Sequence, residues 1–175
     1  MTDMDAFIDR LNPDMCVVTA AADGERAGCL VGFASQCSMR PVRFAVWLSK
    51  VNRTYQVARS AEFLAVHLLT PEQFALAALF GGETGDRVDK FARTRWTEGC
   101  EGAVVLQDAD AWFVGRIDQR MDAGDHVGFV LEPLRSGARG GAGERGGDQG
   151  RDGAGGRPLL RLADSLAIEP GHPVD

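Results

Sequence analysis

The chain lacks the features that would place it in a membrane or outside the cell. No apolar run approaches the roughly 18 to 20 residues that a membrane-spanning helix needs, and residues 2–5 are acidic where a secretory signal peptide is basic. Lys and Arg (19) are fewer than Asp and Glu (25), so the net charge of -6 gives no global field that attracts nucleic acid or anionic lipid. We therefore expect a cytoplasmic protein without a nucleic-acid or membrane partner.

Metal-binding and hydrolase motifs are also missing. The 4 cysteines form no CxxC pair, and none has metal-ligand spacing to a histidine, so we expect reduced thiols and no metal. No GxSxG, HExxH or Walker motif occurs, which excludes the usual hydrolase and nucleoside-triphosphatase sites. A GxGxxG run at 141–146 has neither the preceding strand nor the following helix of a dinucleotide-binding turn. These absences narrow the possible chemistry considerably.

Glycine is concentrated in one part of the chain. Residues 135–157 contain ten of the 22 glycines and no large apolar side chain, so they cannot bury enough surface to offset the entropy of ordering. This composition predicts a flexible linker between one core domain at residues 1–134 and a C-terminal segment at 158–175. The apolar stretch at 158–163 indicates that this last segment docks back onto the core.

The hydrophobic periodicity predicts a mainly β architecture. Six or seven short strands, mostly joined to their neighbours in sequence, favour a closed antiparallel barrel with helices over its ends and seams. The predicted helices are 4–11, 53–60 and 71–80, and the predicted strands are a hairpin (15–21 and 27–38), 43–49, 63–69, 104–106, 111–119 and 126–134.

The most informative stretch is SKVNRT, from Ser49 to Thr54, where an alternating strand passes directly into a helix. Asn52 is a favoured capping residue, and a helix N-terminus offers backbone NH groups and the positive end of the helix dipole to an anion. Lys50, Arg53 and two hydroxyls flank this turn, so the segment has the parts of a phosphate cradle. In the alternative interpretation, Asn52 only caps the helix while Lys50 and Arg53 are solvated.

Two further features are ambiguous when the residues are considered alone. Gly28 and Gly32 remove side chains from the second arm of the hairpin, which is typical of close approach by a ligand and equally of a bulge or barrel corner. His126 follows the tight turn at 122–125, and here a histidine bonded to local backbone is the favoured interpretation.

Four motifs occur in a definite order: GCLVGFASQCSMRPV (28–42), SKVNRT (49–54), DKF (89–91) and GDHVGFVLEP (124–133). Their order and spacing resemble the flavin reductase-like family of FMN-binding split barrels over about residues 11–134. The GDH followed by an apolar strand is the most specific part. The resemblance implies an antiparallel split β-barrel with flanking helices and a homodimer that holds the flavin at the subunit interface.

The resemblance also implies a flavin site. The glycine-led strand would line the flavin ring and ribityl chain, but Leu30, Gly32 and Phe33 stand where the family has polar side chains. Ring recognition would then fall to backbone groups and to the polar side chains of residues 35–37. Lys50 and Thr54 match the family's KxSxT phosphate pattern, with Asn52 in place of its serine. The implied cofactor-binding residues are Leu30, Val31, Gly32, Phe33, Ser35, Gln36, Cys37, Ser49, Lys50, Asn52, Arg53, Thr54, Lys90 and Phe91.

The implied function is NAD(P)H-dependent reduction of FMN, with hydride transfer from nicotinamide to N5 of the flavin. FAD or riboflavin are further substrates that the resemblance allows, and a partner monooxygenase would use the reduced flavin. His126 matches the family's GDH histidine and is the implied catalytic residue, where orientation of the nicotinamide matters more than acid–base work. The alternative is a flavin-binding module or carrier without turnover, which the loss of polar side chains at 30, 32 and 33 keeps open.

Overall fold

The computed structural model of the chain describes residues 4–85, 87–139 and 157–171, and β-strands contain more of these residues than helices do. Its helices are short, with 3-10 turns at Pro71–Gln73, Lys90–Arg93 and Cys100–Gly102. The strands are β1 (Cys16–Ala22), β2 (Glu25–Val31), β3 (Ala34–Met39), β4 (Val42–Ser49), β5 (Phe63–Leu68), β6 (Trp96–Glu98), β7 (Val104–Leu106), β8 (Ala111–Asp122) and β9 (His126–Ala138). The helices are α1 (Asp5–Ile8), α2 (Arg53–Ala58), α3 (Phe74–Gly82) and α4 (Leu162–Ser165).

Seven strands form one antiparallel sheet in the order β2-β1-β5-β8-β9-β4-β3, while β6 and β7 form a separate pair. Two bulges in the ladder between β8 and β9 bend and twist these long strands. The outer strands β2 and β3 follow each other in sequence, yet no ladder joins them within the described residues. The predicted mainly β, antiparallel architecture is therefore confirmed, whereas closure of the sheet into a barrel stays a prediction.

The hairpin arm predicted at 27–38 is wrong in one respect, because it is two strands at opposite edges of the sheet. β2 pairs with β1, and β3 pairs with β4. The apolar alternation of β2 buries every second side chain, whereas the polar residues of β3 are mostly exposed and suit a solvated edge. The chain leaves β2 at Gly32 and Phe33, which lie in neither strand.

The two faces of the sheet pack against different residues, because side chains alternate along each strand. Val18 points into a core that α2 covers, and its neighbour Val17 points into a second core beneath α3. Further members of the first core are Leu48, Val57, Leu64 and Phe129. Further members of the second core are Leu69, Ala77, Phe80, Leu106 and Leu160.

The chain after β9 departs from the prediction at one point. Strand β9 continues to Ala138, so the first residues of the predicted linker belong to the sheet. A Cβ at Gly137 would come within 2.8 Å of the Trp112 ring, so close packing explains this glycine. Residues 140–156, including the GxGxxG run, lie outside the described residues.

The C-terminal segment lies against the second core. Leu160 is fully buried; its N–H donates to the carbonyl of Leu69 at 2.7 Å, and its carbonyl accepts from the N–H of Met15 at 2.8 Å. Within the residues that the structure describes, no helix combines the length and apolar character needed to span a membrane.

His67 connects the two sheets from a fully buried position on β5. Its Nδ1 donates to the carbonyl of Val17 at 3.0 Å, and its Nε2 accepts from the N–H of Leu106 at 3.0 Å. One donor and one acceptor require the neutral ring, and burial lowers the pKa of His67 from 6.5 to about 4.

We predict that His67 makes the folded state less stable in mild acid. Between pH 6.5 and about 4 the unfolded chain binds a proton that the folded chain excludes, so the contribution of His67 is fully present above pH 6.5 and is lost as the pH falls toward 4. Over this range the protonation of His67 in the unfolded chain lowers the free energy of unfolding by up to about 3 kcal/mol. Urea unfolding of the wild type and of His67→Gln across this range measures it. The carboxylates contribute equally to the pH dependence of the free energy of unfolding in both proteins. Equal pH slopes for the wild type and the variant would therefore mean that His67 contributes nothing, which would contradict the prediction.

Candidate functional site

Several of the predicted site residues meet at one end of the large sheet, where β4 ends and β9 begins. Ser49 pairs with His126 in the ladder, and the N–H of Lys50 donates to the carbonyl of Asp125 at 2.9 Å. Phe33 brings its ring to a centroid distance of 5.2 Å from the His126 ring, with the planes tilted by 59°. We call these five residues the strand-end cluster. It joins the glycine-led strand, the phosphate segment and the GDH motif.

His126 is half-buried and is oriented by its neighbour in sequence. Its Nδ1 lies 2.8 Å from a carboxylate oxygen of Asp125, and this hydrogen bond lowers the pKa of the Asp125 carboxyl. A carboxylate accepts only, so Nδ1 carries the proton. A neutral ring then keeps Nε2 as an acceptor for an amide or N–H group of a ligand.

The first turn of α2 combines a cap with two cations. The Asn52 side chain accepts from the N–H of Thr54 at 2.9 Å and caps the helix. On either side of Asn52 in sequence, Lys50 contacts both carboxylate oxygens of Asp122 at 2.8 and 2.9 Å, and Arg53 pairs with Glu25. Such surface pairs contribute about 0–1 kcal/mol, so an incoming phosphate can displace either carboxylate at little cost.

Thr54 differs from the other residues of this segment because it is fully buried. Its hydroxyl has no hydrogen-bond partner among the described residues and lies beside the Cys29 thiol, whose pKa is raised by burial and lowered in part by this neighbour. Thr54, Val57 and Ala58 form the buried side of α2, at helical spacing. The Thr54 hydroxyl does not face solvent in this structure, and its contact with a flavin phosphate stays a prediction.

The glycine-led strand distributes its residues among different surroundings. Val31 is buried in the first core, and Leu30 packs toward Gly81 of α3 on the opposite face. A Cβ at Gly32 would stand 3.1 Å from the sulfur of Met15. The side chains of Leu30 and Val31 are thus part of the packing, and the contact of their backbone with the flavin stays a prediction. Ser35, Gln36 and Cys37 are exposed on the edge strand β3, which follows Phe33.

Lys90 and Phe91 are buried, and their side chains stabilise the fold. The Lys90 ammonium donates to the carbonyls of Gly28 and Phe80, both at 3.0 Å, and burial lowers the pKa of Lys90. Phe91 packs edge-on against Phe80 and Trp96, at centroid distances of 5.7 and 6.2 Å. Both line a neighbouring cleft. The assignment of Lys90 and Phe91 to the entrance of the flavin site stays a prediction.

The sequence alone did not identify Asp122 and Asp125 as site residues. Both lie in the turn between β8 and β9, which the pattern DAGD predicts only as a turn. They reach Lys50 and His126 because β9 pairs with β4, a long-range ladder that no local pattern specifies. The described residues contain no group of three or more His, Cys, Asp or Glu side chains arranged to hold a metal ion.

Known proteins with similar sequences and folds include several flavin reductases. The family model described as "Flavin reductase like domain" matches residues 9–160. The FMN reductase (NADH) RutF of Variovorax paradoxus (strain S110) is 30% identical over 125 residues, which cover 71% of this chain and 69% of that protein. A probable flavin reductase of Rhizobium meliloti (strain 1021) is 31% identical over 114 residues, and the match spans 36% of that longer protein.

The fold comparison extends over nearly the whole chain. The crystal structure of a flavin reductase domain protein from Arthrobacter sp. FB24 has a TM-score of 0.75 at 19% sequence identity. The match covers 98% of this chain and 96% of that one. The arrangement of strands is therefore that of a known flavin reductase domain.

The chain's two lysines provide a matched pair of substitutions, and we predict that only the one at Lys90 lowers the stability substantially. Lys90→Met leaves two buried carbonyls without a donor and should lower the free energy of unfolding by about 1–3 kcal/mol. Lys50→Met removes a surface pair and should change it by less than about 0.5 kcal/mol. Urea unfolding at neutral pH measures both. A similar, small effect of the two substitutions would show that Lys90 does not hold the carbonyls of Gly28 and Phe80.

Proposed function

The chain belongs to the family of flavin reductase-like domains, and on this basis we propose that it is an NAD(P)H-dependent flavin reductase acting on FMN. The observation that carries the proposal is the strand-end cluster, in which the aromatic ring of Phe33 and the imidazole of His126 lie next to each other. The cations Lys50 and Arg53 follow within a few residues of this point. An aromatic surface, an oriented imidazole and nearby cations are the parts that a flavin phosphate and a nicotinamide need.

The residues present fit a flavin mononucleotide. Lys50 and Arg53 would hold the phosphate in place of their surface carboxylates, with Asn52 between them. Phe33 is 60% exposed and offers an apolar ring face to a planar group. A bound flavin supplies the electron-accepting chemistry for hydride transfer, so the protein needs to bind, orient and shield the reactants.

We assign His126 the task of positioning the nicotinamide. Asp125 fixes the ring through Nδ1, which leaves Nε2 to accept from an N–H donor such as a carboxamide. Hydride transfer depends steeply on distance and alignment, so an oriented acceptor increases the rate without exchanging a proton. Phe33 packs against the same ring and restricts its movement.

We further propose that the sheet forms an FMN-binding split barrel and that the working unit is a homodimer. Met39 on β3 pairs with Val42 on β4, and both are exposed, as is Phe33. An edge strand with exposed apolar side chains favours association. A second copy of the chain would cover this edge and close the flavin site. Sedimentation equilibrium measures the number of chains in the assembly. A protein that stays monomeric with FMN bound would contradict the proposed homodimer.

A second candidate function is a flavin-binding module without turnover. It is favoured by the positions of Leu30 and Gly32, which offer no polar side chain to a flavin ring. The two candidates differ in a single measurable property, which is the flavin-dependent oxidation of a reduced nicotinamide.

We predict that the purified protein oxidises NADH or NADPH only when FMN is present. His126→Ala should lower kcat/KM for the nicotinamide by about tenfold or more, because alignment is lost. The same variant should leave the Kd for FMN nearly unchanged. Loss of nicotinamide absorbance measures turnover, and quenching of flavin fluorescence measures binding. FMN binding without turnover in the wild type would favour the module.

We also predict that the phosphate end of the site can be separated from the ring end. Lys50→Ala and Arg53→Ala should each weaken FMN binding by about tenfold, since each removes a charge-assisted contact with phosphate. The affinity for riboflavin, which lacks the phosphate, should stay the same. Arg59→Ala, an exposed arginine at the other end of α2, is the matched control. Equal losses for FMN and riboflavin would place the phosphate elsewhere.

A further inference from the structure

A groove of about 600 Å³ lies between helix α3 and the chain around the end of the 3-10 turn Lys90–Arg93. It borders the second core, whereas α2 covers the first. None of its lining residues belongs to the strand-end cluster or to the first turn of α2, so the groove is separate from the flavin site proposed above. Its volume falls within the range of about 300 to 1,000 Å³ that is usual for sites of small organic ligands.

Helix α3 has more apolar surface than the described chain covers. Its sequence, FALAALFGG, contains no polar side chain, yet only Ala77 and Phe80 are buried. A helix that is apolar on every side is normally buried on every side. Ala75 is instead exposed, while Leu76 and Leu79 are half-buried, and all three line the groove. They form an apolar floor that is open to a ligand.

The rim of the same groove is positively charged. Arg93, Arg95 and Arg139 line it, together with the carboxylate of Asp108. Arg95 contacts both carboxylate oxygens of Asp108, so these two charges cancel. Arg93 and Arg139 are exposed, and neither forms an ion pair within the part of the chain that the structure describes. Two positive charges therefore stand next to the apolar floor.

Hydrogen bonds join the walls of the groove before any ligand arrives. The side-chain amide of Gln73 donates to the carbonyl of Asp108. The N–H of Arg139 donates to the carbonyl of Asp110 at 2.7 Å, while the Asp110 carboxylate pairs with Arg157 at 3.7 Å. The start of α3, the loop after β7 and the end of β9 are thus held together, so a ligand needs to order few additional groups.

We propose that this groove binds a small organic acid, whose apolar body lies on Leu76 and Leu79 and whose carboxylate is held by Arg93 and Arg139. A guanidinium has paired N–H donors that match two carboxylate oxygens. A ring or an acyl chain loses contact with water on the apolar floor. A nucleotide fits less well, because the floor offers no polar side chain to a sugar. The site does not depend on the proposed flavin chemistry.

The first experiment titrates three probes into the wild type by calorimetry. 4-Phenylbutyrate has both an apolar body and a carboxylate, 4-phenylbutanol lacks the charge, and butyrate lacks the ring. We expect saturable binding of 4-phenylbutyrate and at least about tenfold weaker binding of the other two, because each loses one half of the contacts. The absence of saturable 4-phenylbutyrate binding would overturn the proposal.

The second experiment tests the arginines. The Arg93→Gln/Arg139→Gln variant should weaken 4-phenylbutyrate binding by about tenfold and leave 4-phenylbutanol binding unchanged. Arg59→Gln/Arg135→Gln is the matched control, because it removes the same charge from two exposed positions that do not line the groove. Equal weakening in the two double variants would mean a general effect of net charge and would overturn the proposal.

A third experiment fills the groove. Ala75→Trp introduces an indole at an exposed helix position that lines the groove and should abolish 4-phenylbutyrate binding, while urea unfolding shows that the variant is folded. An unchanged affinity would place the acid elsewhere and overturn the proposal.

FMN distinguishes this inference from the proposed function. The affinity for FMN should be the same in the wild type and in all three variants, and 4-phenylbutyrate should not compete with FMN. Competition would assign the acid to the flavin site and overturn the inference. A protein that binds 4-phenylbutyrate in the groove but binds no flavin would support the inference and reject the proposed function.

Discussion

The antiparallel ladder between β4 and β9 is the constraint on which the candidate site depends. It sets Ser49 opposite His126, so that the end of one strand and the start of the other lie at the same edge of the sheet. The backbone of Lys50 then reaches Asp125, and its side chain reaches Asp122. A shift of this register by one residue would turn each β9 side chain to the opposite face and remove Phe129 from the core. Burial of Phe129 and Leu131 therefore secures the register, and the register positions His126.

The same alternation explains why a continuous motif does not form a continuous site. Neighbouring residues of β2 face opposite sides of the sheet, so Val31 enters the first core while Leu30 packs toward α3. At several glycines, the neighbouring side chains leave no room for a Cβ. A Cβ at Gly28 would stand 2.6 Å from the Phe80 ring.

The two lysines show how much the surroundings decide. Lys50 keeps its ammonium at the surface beside Asp122, whereas Lys90 is buried and donates to main-chain carbonyls that join β2 to α3. The motifs SKVNRT and DKF each contain one lysine next to residues of similar character. No local pattern separates them, because the burial of Lys90 depends on the packing of Phe80 and Phe91 against each other.

The sequence by itself determined the mainly β class, most strand and helix positions, the capping role of Asn52 and the family, because alternation, turn residues and motif order are local properties of the chain. It also indicated Phe33, Lys50 and His126 as parts of one site through the resemblance. Only the tertiary structure decided that the arm after Gly28 divides between opposite sheet edges and that Thr54, Lys90 and Phe91 are buried. It likewise brought Asp122 and Asp125 to their partners. These outcomes depend on pairing between strands that are distant in sequence and on which face of an element finds a packing partner, and neither can be inferred from local sequence.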